Sequence, residues 1–138
     1  LGPNQSRPDH TRQWHKEVPG KQALLLTLDA SAEAKEGYLT PAEANTQAAD
    51  WKMKPTALLL DPAGKVGQEY AATNTPHMYV IGPNGNLIYS GAIDDKRSAR
   101  QEDVKTANNY VRVALTEAMA GKPVATPNTH PYRCPGKA

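Results

Sequence analysis

Cys134 is the single cysteine in a chain of 138 residues. A lone thiol forms no internal disulfide and no Cys-x-x-Cys redox pair. What it offers is nucleophilic or resolving chemistry, which needs a nearby cation or helix start to lower its pKa. His130 and Arg133 stand close by in Thr129-His130-Pro131-Tyr132-Arg133-Cys134 and make Cys134 a weak candidate for that role. The competing reading is an ordinary tail cysteine, and it is favoured because terminal segments are usually mobile.

The other chemistry-bearing residues carry less. His10 and His15 are five apart, whereas helical metal-ligand pairs sit three or four apart on one face. Only convergence in space with His77 and His130 would make them ligands, so no metal is expected and no cofactor is implied. Asp94-Asp95 fit either a cation site or, preferably, a brace for the loop before the last helix. Gly64-Lys65-Val66-Gly67 is too short for a phosphate loop and reads as a turn.

Lys and Arg total 16 against 14 Asp and Glu, a formal balance of +2. That balance is too weak to imply nucleic acid, and no basic cluster with interleaved aromatics supports it. No apolar run approaches the ~20 residues that span a bilayer, so no membrane partner is expected. Leu1 to Pro8 lacks the apolar stretch of a signal peptide, and cellular location stays open between cytoplasmic and extracytoplasmic.

These residues must be positioned by a modest single core. Twelve prolines, ten glycines and no phenylalanine predict a loop-rich domain built on Leu, Val, Ile and Tyr. Residues 1–8 read as a flexible lead-in, followed by a short helix from Asp9 to Val18 that Pro19-Gly20 stops. Gln22 to Leu28 reads as a strand buried on both faces, and 29–39 as a surface loop. Thr40-Pro41-Ala42-Glu43 is a capping box with proline at the first helical position, opening a helix to about Trp51. A second buried strand, Thr56 to Leu60, ends in the turn Asp61-Pro62-Ala63-Gly64, with a short helix from Lys65 to Ala71. His77–Ile81 and Leu87–Ser90 flank Asn84-Gly85, a strong hairpin signal. One long amphipathic helix is predicted over 101–120 from the spacing of Val104, Asn108, Val111, Leu115, Ala118 and Met119. Gly121-Lys122-Pro123 stops it before a Pro-rich tail at 122–138. Buried strands alternating with helices imply an α/β fold with an antiparallel edge.

At Thr75-Pro76-His77-Met78-Tyr79-Val80-Ile81 the chain resembles the redoxin branch of the thioredoxin superfamily, which includes alkyl hydroperoxide reductase and thiol-specific antioxidant relatives. The likeness continues through Asp61-Pro62-Ala63-Gly64-Lys65-Val66-Gly67, Gly82-Pro83-Asn84-Gly85, Tyr89-Ser90-Gly91-Ala92-Ile93-Asp94-Asp95-Lys96, Asn109-Tyr110-Val111 and the tail around Cys134, covering roughly residues 22–134. It implies a thioredoxin-like α/β fold over 9–121, with a mixed sheet, a C-terminal antiparallel hairpin and flanking helices. It implies a cis bond before Pro76, against a background of ~5% for X–Pro bonds. It also implies that Thr75, Pro76 and His77 form a substrate-binding turn where Thr75 main-chain groups meet a cysteine-containing partner.

The departures bear on activity. Redoxins place a strand and a nucleophilic cysteine ahead of the strand that Leu24–Leu28 resembles, and no cysteine precedes it here. Pro135 also departs from the family's usual ending. The expected domain is therefore N-terminally truncated, a fragment or processed form, with a slot in its sheet. That slot calls for a preceding segment, a partner chain or oligomer, or direct re-pairing of the two inner strands, because unpaired buried backbone groups are costly. The function implied is a thiol-disulfide oxidoreductase or peroxiredoxin-like antioxidant, inactive if the nucleophile is truly missing. Its partners would be a thiol or disulfide protein, or a small peroxide. The alternative is a non-catalytic binding module on the same scaffold.

Overall fold

The structure is a computed structural model and describes residues 23–35, 37–50, 52, 55–98 and 100–132. The helix expected over 9–18 lies outside the described residues. The chain divides into two compact units, residues 1–72 and 73–138.

In the first unit, β1 (Leu26–Asp29) pairs in parallel with β2 (Ala57–Leu60), with Leu26 opposite Ala57 and Asp29 opposite Leu60. Bonds between Leu25 and Thr56 extend the pair at one end, and Asp61 N–H donates to the Asp29 carbonyl at 2.8 Å at the other. Between the strands, α1 (Pro41–Asp50) starts on the expected capping box. The Thr40 N–H donates to Glu43 Oε2 at 2.8 Å, and the Glu43 N–H to Thr40 Oγ1 at 3.3 Å. The short α2 (Lys65–Glu69) begins on the Asp61 side chain, whose two oxygens accept from the Lys65 and Gly67 N–H groups, each at 3.0 Å.

The expectation that both leucine runs are buried is corrected. Leu24 is 76% exposed, Leu26 56% and Leu59 43%. An unbroken apolar run cannot tell burial on two faces from burial on one, because successive strand side chains point to opposite sides. Here residues 23–29 alternate, with even positions outward, until Asp29 turns inward.

In the second unit, β3 (Met78–Ile81) and β4 (Leu87–Gly91) form the expected antiparallel hairpin, with an irregularity between Val80 and Ile81. Its loop closes through Gly82 N–H to the Asn86 carbonyl and Gly85 N–H to the Gly82 carbonyl; Gly85 takes a φ of 84°. The helix expected over 101–120 is two helices, α3 (Gln101–Thr106) and α4 (Tyr110–Met119). Asn109 causes the break: its Oδ1 accepts the Arg112 N–H at 2.9 Å, and a side chain that caps a new helix cannot continue the old one. Helix α4 packs on β3 and β4, and the core comprises Val80, Tyr89, Ala92, Ile93, Val111, Ala114 and Tyr132.

The fold is α/β, as expected, and its described strands pair within each unit. Among the described residues they form two separate two-stranded sheets, β1–β2 and β3–β4. Among the described residues β1 and β3 are not paired with each other. A strand between the pairs, which the redoxin pattern requires, is not among the described residues.

Candidate functional site

Thr75, Pro76 and His77 lead into β3, and the Thr75–Pro76 peptide is cis, the form the sequence reading expects. Thr75 is exposed; Pro76 and His77 are half-buried. The His77 ring is fixed on both edges. Its Nδ1 accepts the Thr73 N–H at 3.3 Å, and its Nε2 lies 3.1 Å from Ser90 Oγ. A backbone N–H can only donate, so Nδ1 carries no proton and Nε2–H donates to Ser90. The ring also stacks on Tyr79, with centroids 4.5 Å apart. Burial holds the imidazole pKa below its ordinary value, in keeping with the neutral tautomer that these bonds require.

The tail is the part that sequence reasoning missed. Rather than trailing free, residues 127–129 meet β4 at Ser90 through an isolated parallel bridge between Ser90 and Asn128. Ser90 N–H donates to the Pro127 carbonyl at 2.9 Å, and Thr129 N–H to the Ser90 carbonyl at 3.1 Å. A closed circuit locks Thr129 in place. The Ala92 N–H donates to Thr129 Oγ1 at 2.8 Å, the Thr129 hydroxyl bonds Tyr89 Oη at 2.6 Å, and the Tyr89 hydroxyl donates to the Ala92 carbonyl at 2.5 Å. Gly91 permits this approach, since a Cβ there would stand 2.2 Å from Thr129 Oγ1. Burial pushes the Tyr89 phenol pKa up.

Beyond Thr129, the Asn74 side-chain N–H donates to the Pro131 carbonyl at 2.7 Å. Tyr132 is buried, and its hydroxyl donates to Asp94 Oδ1 and lies 2.7 Å from the Lys96 carbonyl. Asp94 is 1% exposed and also accepts the Lys96 N–H at 2.8 Å. Asp95 Oδ1 accepts the Asn108 N–H at 2.8 Å, while Asp94 bridges to Asn109. The Asp94-Asp95 pair thus braces the loop before α4, as preferred from sequence. No local signal links Asn74 with Pro131, which stand 57 positions apart.

Cys134, with Arg133, lies outside the described residues, as do His10 and His15. Among the described residues no group of three or more His, Cys, Asp or Glu side chains gathers to hold a metal ion, and no helix is long and apolar enough to cross a membrane.

No protein-family model matches the chain, and no curated protein matches it. Two solved structures are similar to it in fold. One is a hypothetical protein from Sinorhizobium meliloti, 19% identical, with a TM-score of 0.77 over 93% of this chain and 68% of that one. The other is an uncharacterized conserved protein from Geobacillus kaustophilus, 20% identical, with a TM-score of 0.70 over 91% of this chain and 63% of that one. At such identities the likeness is one of fold alone.

Proposed function

We propose that this chain belongs to a redoxin-type thiol oxidoreductase, on a thioredoxin-like scaffold, and that Thr75-Pro76-His77 is the turn that meets a thiol or disulfide substrate. The observation that carries this reading is the bond from Asn74 to the Pro131 carbonyl. It ties the segment leading to Cys134 to the residue just before the Thr75-Pro76 turn. Supporting the reading, the turn is thereby joined to a tail residue three positions before Cys134 in sequence, the two bonded residues standing 57 positions apart. In the reaction, the Cys134 thiolate attacks a peroxide oxygen and breaks the O–O bond, giving a sulfenic acid and hydroxide or an alkoxide. An external thiol then condenses with the sulfenic acid, releasing water, and a second thiol reduces the mixed disulfide.

A non-catalytic binding module is the second reading, favoured by the absence of a second cysteine in the 138 residues. Dithiothreitol-dependent hydrogen peroxide consumption separates the two. Turnover by the chain that disappears in Cys134→Ser supports the oxidoreductase. Turnover at the buffer rate in both proteins rejects it for this chain and leaves the binding module.

A further inference from the structure

Asp29 and Asp61 stand side by side at the ends of β1 and β2 and are both buried, yet they differ in one respect. Both carboxylate oxygens of Asp61 are engaged by backbone N–H groups of α2. Asp29 has only one so engaged: Oδ1 accepts the Ser31 N–H at 2.9 Å. Its Oδ2 is buried with no hydrogen-bond partner, although the residue is only 7% exposed. Buried carboxylate oxygens are normally satisfied, because leaving one bare costs its desolvation without return.

The bare oxygen belongs to a residue that lines a cavity of about 220 Å³, together with Ser31, Tyr38, Leu39, Leu60 and two prolines, Pro41 and Pro62. Asp29 and Leu60 are the last residues of two parallel strands. Crevices outside the carboxyl ends of parallel strands are where open α/β sheets commonly take ligands. The walls are of two kinds: a carboxylate and two hydroxyl-bearing side chains, against leucine and proline.

The geometry points to a binding site in this cavity for a small organic ammonium ion, its charged head on the Asp29 carboxylate and its apolar body against Leu39, Leu60 and Pro62. An anion is repelled by the carboxylate. A divalent metal ion wants several oxygen ligands, and no cluster of three acidic or histidine side chains is found among the described residues. An ammonium carries three donors, matching the carboxylate and the Ser31 and Tyr38 hydroxyls. The carboxylate torsion is broad, so Oδ2 can turn toward a donor without backbone movement. Benzene fits a cavity of roughly 150 Å³, so a five-carbon body is of suitable size. This site lies within the first unit and does not depend on Cys134 or on the Thr75-Pro76 turn.

The test is calorimetric titration of the full chain with n-pentylammonium chloride and, separately, with 1-pentanol and calcium chloride. Saturable binding of the ammonium, at least about tenfold tighter than the alcohol, is expected from one charge-assisted hydrogen bond. Asp29→Asn, shown to be folded by circular dichroism, should lose about the same factor, and Tyr38→Phe a smaller one. Equal affinity for ammonium and alcohol, no saturable ammonium binding, or tighter binding of calcium would each overturn the assignment. The comparison of probes on the unaltered chain decides the question even if Asp29→Asn does not fold.

Discussion

The side-chain amide of Asn74 donates to the carbonyl of Pro131 at 2.7 Å, joining the residue before the Thr75-Pro76 turn to a buried part of the tail. Around this bond the tail stops being an appendage. Its backbone pairs with Ser90, its Thr129 hydroxyl completes a circuit with Tyr89, and its Tyr132 closes over Asp94.

Asn74→Ala removes one end of that tie. A single neutral hydrogen bond contributes about 1 kcal/mol, so amide exchange at Thr129 should speed up about fivefold through local release of the tail. Hydrogen exchange read by mass spectrometry checks this. An unchanged rate across 127–132 would mean that Asn74 does not hold the tail.

Thr129→Val keeps the shape of the side chain but deletes its hydroxyl, leaving the Ala92 N–H and the Tyr89 hydroxyl each short of a partner. The expected loss is about 1–3 kcal/mol, measured by urea unfolding. Thr129→Ser retains the oxygen and should recover most of the difference.

Gly91→Ala places a methyl group 2.2 Å from Thr129 Oγ1 and 2.5 Å from the Thr129 carbonyl oxygen, at a φ of 153°. Something must move, and the movable piece is the tail. A loss of about 1–3 kcal/mol is expected, in the range of overpacked cores. It should be accompanied by lost exchange protection at Thr129. A melting temperature equal to that of the parent chain would show that the approach is not as close as described.

The pH dependence follows from His77. Its pKa is lowered in the folded chain, by burial, relative to about 6.5 in the unfolded one. The unfolded state therefore binds the proton first as pH falls. The stability contributed by neutral His77 is present in full above about pH 6.5 and is lost progressively below it, down through the folded pKa. His77→Gln should flatten the dependence of the urea midpoint between pH 7.5 and pH 5.5. An identical slope in both proteins would show that His77 is not the group responsible.

Features that depend on near neighbours in the chain were legible from the residues alone. The Thr40–Glu43 capping box, the turn at Asp61 to Gly64 and the hairpin around Asn84-Gly85 each rest on contacts within a few positions, where residue type restricts the backbone directly. The break at Asn109 belongs to the same class, but the apolar spacing on either side of it concealed the cap. Tertiary structure decided what no local pattern carries. Leucines at 24, 26 and 59 look the same in sequence whether a packed layer covers their face of the sheet or solvent does, so only the folded packing reveals their exposure. The tail's attachment depends on Thr129 meeting Tyr89 and on Pro131 meeting Asn74, pairs 40 and 57 positions apart. The bare oxygen of Asp29 is likewise a product of folding. In sequence Asp29 and Asp61 are equivalent acids following apolar strands, and only the placement of α2 after Asp61 satisfies both oxygens of one and leaves an oxygen of the other buried without a partner.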